Sequence, residues 1–313
     1  MSNPDSPLLP EILAYYGQGR EDDRLLRGIG RLELARTQEL LTRYLSPPPG
    51  VVYDIGGGSG RYACWLARRG YEVHLIDAAP LHVEQALAAS AAQPDSPLAS
   101  VTLGDARSLQ VPTAPPVTAE DAAGAAAVTA GAAAVTAGAA AVTAGAAAVL
   151  VLGPLYHLTD RDDRVIALRE ARRITRSGGV LLAAGISQFA SALAGLVDGT
   201  LTDPDFQAVV RQDLADGQHR NPDADYGAPE HRDYFTTAYF HHPFALRAEV
   251  EEAGWAACRL LAVEGPAWIP GTFDAWWDDD ARREILLDTV RAVEAEPTLL
   301  GASAHILAVA HAM

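Results

Sequence analysis

The sequence predicts an α/β fold built on a mainly parallel sheet, and three features of the chain indicate it. The apolar run Val51-Val52-Tyr53 leads through a glycine-rich segment, residues 54–60, into a helix-like stretch at 61–69, which is the order strand, turn, helix. After this helix, residues 71–77 form a second predicted strand and residues 100–103 a third. Strand-like and helix-like patterns continue to alternate in the second half of the chain.

The glycine-rich turn is the feature most informative about a ligand, because such a turn points backbone N–H groups and a helix N-terminus at it. A dinucleotide site requires G-x-G-x-x-G/A, and counting from Gly56 and Gly58 the third small residue falls on Arg61, which would obstruct close packing. A phosphate loop requires a Gly-Lys-Ser/Thr ending, which does not follow. The observed pattern is an acid, Asp54, followed by G-x-G-x-G ending at Gly60.

This pattern resembles motif I of the class I S-adenosylmethionine-dependent methyltransferases, in which the turn runs beneath the amino-acid end of the cofactor. The resemblance implies a seven-stranded, Rossmann-like methyltransferase sheet, with S-adenosyl-L-methionine as cofactor and S-adenosyl-L-homocysteine as product. It also implies that Asp77 accepts hydrogen bonds from the ribose hydroxyls, and that Asp105 and Ala106 lie beside the adenine. For the glycines alone, the alternative is an ordinary tight turn; for any single acid, it is a helix cap.

The resemblance continues through the next two predicted strands. Residues 149–158 resemble the fourth strand and the loop that borders the transferred methyl group, which implies that Gly153 and Leu155 contact the cofactor. Residues 176–182 resemble the turn into the fifth strand, with Ser177 where the family usually has proline.

Four parts are expected along the chain. The fourth, C-terminal part resembles the helices and antiparallel strand pair that close the methyltransferase sheet. The boundaries are an N-terminal helical cap at 1–46, a cofactor-binding core at 47–185 with an alanine-rich insertion at 122–148, a lid or acceptor-site insertion after strand five at 186–242, and the C-terminal part of the core at 243–313.

The alanine-rich insertion consists of tandem repeats. The unit Ala-Gly-Ala-Ala-Ala-Val-Thr occurs three times over residues 123–143, and a fourth copy ending in Leu runs into the fourth strand. Tandem duplication of the strand entry explains this pattern, so the repeats add no chemistry. A membrane span is rejected because it would fall between two strands of one sheet. A loosely docked surface helix and a disordered segment both remain open, since alanine favours helix while each glycine costs about 1 kcal/mol.

Methyl transfer requires the acceptor to be held in line with the methyl group, and a hydroxyl or protonated-amine acceptor also benefits from a base. His157 is the first candidate because it follows the fourth strand; the alternative is that it caps the next helix or bonds within the fold. His241 and His242 are the runners-up, and no spacing of ligand residues around them supports a metal site. Three tyrosines are candidates for substrate binding, with packing as the alternative: Tyr16, Tyr156 and Tyr239.

Composition limits the partners. The chain has 313 residues and a formal net charge of −16, from 40 acidic residues against 24 Lys and Arg, which disfavours nucleic acid as a substrate. The two cysteines form no metal or redox motif, and the N-terminus lacks the pattern of a signal peptide. We therefore expect a cytoplasmic protein that acts on a small molecule, with no membrane partner and an oligomeric state left open.

The function expected from these features is transfer of a methyl group from S-adenosyl-L-methionine to an O or N atom of a small molecule, less readily to C or S. Two alternatives remain. One is a regulatory or scaffold protein that binds the cofactor without turnover. The other is a nicotinamide-dependent oxidoreductase, against which Arg61 argues.

Overall fold

The structure is a computed structural model that describes residues 8–111, 145–221, 234–269 and 271–313. The three full repeats at 123–143 lie outside the described residues. The helices and strands are given below in chain order.

A seven-stranded sheet forms the centre of the molecule. Its strands are β1 (Val51–Ile55), β2 (Glu72–Asp77), β3 (Ser100–Leu103), β4 (Ala146–Val151), β5 (Thr175–Ile186), β8 (Ala256–Ala262) and β9 (His305–His311). A second, two-stranded sheet consists of β6 (Gln218–His219) and β7 (Ala238–Tyr239). The α-helices are α1 (Pro10–Tyr16), α2 (Gly30–Tyr44), α3 (Arg61–Ala67), α4 (Pro80–Ala91), α5 (Arg161–Ile174), α6 (Ala190–Asp198), α7 (Pro204–Asp216), α8 (Pro243–Glu252), α9 (Phe273–Trp277) and α10 (Asp280–Val293).

The strand order is β3-β2-β1-β4-β5-β9-β8. The first five strands pair in parallel, whereas β9 is antiparallel to both β5 and β8. The first strand therefore lies in the middle of the sheet. Strands β2 and β3 extend the sheet on one side of it, and β4, β5, β9 and β8 extend it on the other. This arrangement confirms the predicted α/β, Rossmann-like, seven-stranded sheet.

Helices cover both faces of the sheet, and each face has its own apolar core. Along β4, Val149 and Val151 point to one core, while Ala148 and Leu150 point to the other. This alternation is what the two-residue period of a strand requires. Helices α5 and α8 cover the first core; α2, α3 and α4 cover the second.

Two strand boundaries differ from the sequence-based expectation. Strand β4 begins at Ala146, inside the fourth repeat copy, three residues before the expected start. Strand β5 includes the glycine pair that was expected to form a turn before it. Its register passes from Ala146↔Thr175 to Ala148↔Val180, so the extra residues form a bulge. Gly178 makes the bulge possible by adopting a φ of 75°, which disfavours other residues.

The described part of the N-terminal helical cap expected at 1–46 contains α1, α2 and, between them, a 3₁₀-helix at Arg20–Leu26. The described parts of 186–242 form α6, α7 and the small sheet. Buried Asp213 holds this insertion together by accepting hydrogen bonds from Ser191 Oγ at 2.6 Å and His219 Nδ1 at 3.0 Å.

Candidate active site

A cavity opens at the carboxyl edge of the parallel strands, where the loops after β1 to β4 meet. Ligand sites of doubly wound sheets form at this edge, because the strand ends and helix N-termini converge there. The N-terminal segment covers the opening and contributes several lining residues: Leu8, Tyr16, Arg24, Leu25, Glu33 and Thr37.

The glycine turn forms one wall of the cavity. Gly56 has φ 67°, and a Cβ there would lie 2.6 Å from Pro154 Cδ. Gly58 has φ 58°, and no atom lies within 4 Å of its would-be Cβ, so the backbone is open to a ligand there. Gly57, which the motif leaves unspecified, is also constrained, because its Cβ would lie 2.8 Å from Asp54 Oδ2. Gly60 starts α3 with φ 84° and is not among the residues that line the cavity.

Asp54 provides a buried carboxyl group beneath this wall. The residue is 1% exposed, and its Oδ2 has no hydrogen-bond partner among the described residues. Burial, and secondarily the charge of Asp77, raise the pKa of this carboxyl to about 7. A buried oxygen without a donor favours a ligand group that carries N–H bonds and positive charge. The amino-acid end of the expected cofactor has such a group, so the residues fit it.

Asp77, at the end of β2, links the strand to the glycine turn. Its Oδ2 accepts a hydrogen bond from the Gly58 N–H, and its Oδ1 accepts one from the Ala79 N–H, both at 2.8 Å. His82 Nδ1 lies 3.2 Å from Oδ1. Each carboxylate oxygen has two lone pairs, so Asp77 keeps capacity for a further donor.

Asp105 and Ala106 also line the cavity, after β3. The Asp105 carboxylate pairs with the Arg107 guanidinium at 2.7 Å, and Arg107 in turn pairs with Asp163 at 2.7 Å. This pairing anchors the loop after β3 to the start of α5.

Some residues of the loop after β4 line the cavity, and one is buried in the apolar core. Gly153 lines the cavity, and a Cβ there would lie 2.7 Å from the Gly56 carbonyl oxygen, so the two loops can touch only because Gly153 lacks one. Tyr156 and His157 line the cavity as well. Leu155 does not: it is fully buried in the apolar core under β4.

His157 and Tyr16 meet across the cavity. The His157 Nε2 and Tyr16 Oη form a short hydrogen bond, and the two rings pack edge to face at 5.1 Å. Tyr16 also packs edge to face on His82 at 4.7 Å. Burial lowers the pKa of His157 to about 4, so its imidazole is neutral at physiological pH.

The two other candidate histidines and Tyr239 lie elsewhere and are not among the cavity-lining residues. His241 is fully buried, with its Nε2 3.2 Å from Glu249 Oε2. His242 caps α8 by accepting a hydrogen bond from the Phe244 N–H at 3.3 Å. The Tyr239 ring lies under the Arg164 guanidinium at 3.6 Å. Local pairing explains these positions: Tyr239 pairs with Gln218 of β6 and His241 with Ser187 just after β5, whereas His242 is exposed at the start of α8.

The described residues of 186–242 do not line the cavity, although this insertion was expected to wall it. The Phe235 ring from the insertion lies 6.0 Å from the His157 ring and 6.4 Å from the Tyr156 ring. The described part of the insertion therefore contacts residues that line the cavity.

Sequence analysis missed a second polar cluster in the cavity. His305 Nδ1 lies 2.6 Å from Glu264 Oε1 and 3.8 Å from Glu33 Oε2, and Glu33 pairs with Arg24 at 2.5 Å. These residues come from distant segments, so no motif spacing could reveal them.

The strand order defines a doubly wound α/β protein with a cavity at the carboxyl edge of its parallel strands. Residues 53–115 match the family model described as a methyltransferase domain. This match is consistent with the predicted resemblance to the class I S-adenosylmethionine-dependent methyltransferases. No curated protein sequence matches the chain.

Solved structures show the same fold at low sequence identity. One is an S-adenosylmethionine-dependent methyltransferase from Methanosarcina mazei, with a TM-score of 0.50, 13% identity, and coverage of 88% of this chain and 97% of that one. Another, from Thermotoga maritima, is described as a possible histamine N-methyltransferase, with a TM-score of 0.50, 12% identity, and coverage of 97% and 100%. Among the described residues, no helix combines the length and apolar character needed to span a membrane.

Proposed function

We propose that the chain is an S-adenosyl-L-methionine-dependent methyltransferase that methylates an O or N atom of a small molecule, and less readily C or S. One observation carries the proposal. A single cavity is lined both by the glycine turn, with the Asp54 Oδ2 that has no hydrogen-bond partner among the described residues, and by a neutral histidine and two tyrosines. A cofactor site and an acceptor site thus lie within reach of each other.

The bound cofactor supplies an electrophilic methyl group on a sulfonium. The chain's own residues hold and orient it: Asp54 receives the ammonium group, Asp77 the ribose hydroxyls, and the Gly58 backbone allows close approach. The covering segment with Tyr16 excludes water from the reacting atoms. Positioning of this kind supplies a large part of the rate of a bimolecular transfer.

His157 is the group that takes the acceptor proton. Its imidazole is neutral and buried, and its Nε2 is hydrogen-bonded to Tyr16 Oη, so the tyrosine hydroxyl passes its proton to His157 as it takes the proton of the acceptor. Tyr16 and Tyr156 flank the same space and contact the acceptor.

The first experiment tests cofactor binding. Calorimetry should show that the protein binds S-adenosyl-L-homocysteine and does not bind NAD. Replacing Asp77 with Ala should weaken this binding by roughly 1–3 kcal/mol, because a charge-assisted hydrogen bond is lost. Asp95→Ala, at an exposed position outside this cavity, is the matched control and should bind like the wild type.

Absence of S-adenosyl-L-homocysteine binding by folded wild-type protein would contradict the proposal. Release of S-adenosyl-L-homocysteine in a screen of small hydroxyl and amine acceptors separates an enzyme from a protein that binds the cofactor without turnover.

A further inference from the structure

The polar cluster around His305 lies on the side of the cavity away from the cofactor residues. His305 is the first residue of β9 and pairs with Ile186, the last residue of β5, so it stands at the same sheet edge as the glycine turn. Strands β4 and β5 separate β9 from β1. Three strand spacings amount to about 14 Å. Asp54 lies near the end of β1, Asp77 is the last residue of β2 and Asp105 follows β3, so the predicted cofactor residues occupy the other half of the edge.

One buried carboxylate fixes the orientation of the His305 ring. Glu264 Oε1 lies 2.6 Å from His305 Nδ1, and its Oε2 accepts a hydrogen bond from the backbone N–H of His305 at 2.8 Å. Ser303 Oγ donates to the same Oε2 at 2.8 Å. Because both the ring and the backbone of His305 bind Glu264, the other ring nitrogen has a fixed position.

The charges around the ring keep it protonated. Glu264 is 1% exposed, and His305 is the cation that balances it, since Arg24 pairs with Glu33 through both of its terminal nitrogens at 2.5 and 3.0 Å. Burial opposes the charge on His305 and Arg24 adds to that, but Glu33 and Glu264 outweigh both and raise the pKa of His305 to about 9. At neutral pH the ring is therefore an imidazolium.

The Nε2 of this imidazolium has no hydrogen-bond partner among the residues that the structure describes, although Nδ1 is fully engaged. Apolar residues from the neighbouring strands line the same part of the cavity: Ala184, Val263 and Leu307. A charged N–H donor with apolar side chains on one side of it favours an oxyanion, because a charge-assisted hydrogen bond is stronger than a neutral one.

We propose that His305 anchors a carboxylate or similar oxyanion on the methyl acceptor, so that the acceptor is an acid with an apolar body. This inference rests on the proposed methyl transfer and names the class of acceptor. A metal ion at the same place is disfavoured, because the Arg24 guanidinium already occupies Glu33 and the Glu264 oxygens already accept three hydrogen bonds.

Benzoate and benzamide are a suitable pair of probes, because they differ in charge and little in shape. Ligand-observed NMR in the presence of S-adenosyl-L-homocysteine should show that wild-type protein binds benzoate at least about tenfold more tightly than benzamide, the size of one charge-assisted hydrogen bond. This preference should disappear above pH 9, where His305 loses its proton.

The test variant is the double substitution Glu264→Gln with His305→Gln, which removes both charges and so leaves no buried ion without a partner. It should keep its cooperative thermal unfolding and lose the benzoate preference. In a turnover screen, acids should be methylated at lower KM than their primary amides by the wild type, and the double variant should not distinguish them.

Three results would overturn the proposal: equal binding of the two probes by the wild type, an unchanged benzoate preference in the folded double variant, or Mn²⁺ binding by the wild type that the variant loses.

The cofactor's own carboxylate is the other possible source of an oxyanion. If the double variant weakens S-adenosyl-L-homocysteine binding and leaves 5′-methylthioadenosine binding unchanged, His305 holds the cofactor and the proposal is also wrong. Failure of the wild type to bind S-adenosyl-L-homocysteine would instead count against the proposed function, and the probe comparison without cofactor would still report on His305.

Discussion

At the residue scale, Asp54 makes cofactor binding depend on pH. Its carboxyl has a pKa raised to about 7 by burial, whereas an ammonium group binds well only to the ionised form. We expect S-adenosyl-L-homocysteine affinity to rise as the pH increases from 6 to 8, and to fall below pH 7 by up to about tenfold per pH unit. Calorimetry at several pH values across this range measures the affinity.

The matched variant is Asp54→Asn, which keeps the shape and cannot ionise. It should bind more weakly at pH 8 and show little change with pH between 6 and 8. A wild-type affinity that stays constant over this range would show that the Asp54 charge does not contact the ligand. The raised pKa also predicts that the unliganded protein loses stability as the pH rises between about 4 and 7, since the folded state binds the extra proton.

His157 provides a second prediction at this scale. If it takes the acceptor proton, His157→Ala should leave cofactor affinity nearly intact and lower turnover by about 10²–10⁴-fold, the usual contribution of a positioned base. If it serves only to hold Tyr16, the variant should lose thermal stability and keep its turnover per folded molecule. Melting temperature, cofactor affinity and turnover against pH distinguish the two outcomes.

Tyr16→Phe is the companion variant, because it removes the hydrogen bond to His157 and retains the ring that packs on His82, so its turnover reports on the tyrosine hydroxyl. Unchanged turnover in folded His157→Ala protein would remove the catalytic role and leave positioning as the source of the rate.

At the element scale, the alanine-rich repeats are predicted to be dispensable. They carry no reactive side chain, and the fourth copy alone supplies residues 144–150, which contain the start of β4. Deleting residues 123–143 should leave S-adenosyl-L-homocysteine affinity unchanged, because the length of a surface connection changes the closure free energy only slightly. A soluble deletion variant that fails to bind would show that the repeats take part in the site.

At the scale of the whole molecule, the cavity depends on contacts between the two ends of the chain. Arg36 on α2 is fully buried, donates from Nε to the Val263 carbonyl at 3.3 Å, and pairs with Glu294 at the end of α10. These contacts hold α2, and with it Glu33, against Val263, which follows β8, and near His305 on β9. Helix α2 is therefore packed into the fold through a buried ion pair.

The sequence by itself determined the elements whose signals are local. The glycine pattern after β1 requires backbone conformations that other residues avoid, and acids at the ends of β2 and β3 follow directly from the strand pattern. Hence the sheet, the cofactor edge and the position of Asp54, Asp77 and Asp105 could all be predicted without the structure.

The tertiary structure alone decided which side chains share the cavity. His157 follows β4 and His241 follows β7. His157 lines the cavity, whereas His241 lies beside Glu249 inside the fold. Glu33 and His305 are 272 positions apart in the sequence and meet only because α2 packs across the start of β9. Backbone preferences act over a few residues, whereas the meeting of side chains depends on how distant elements pack, and a sequence pattern does not carry that information.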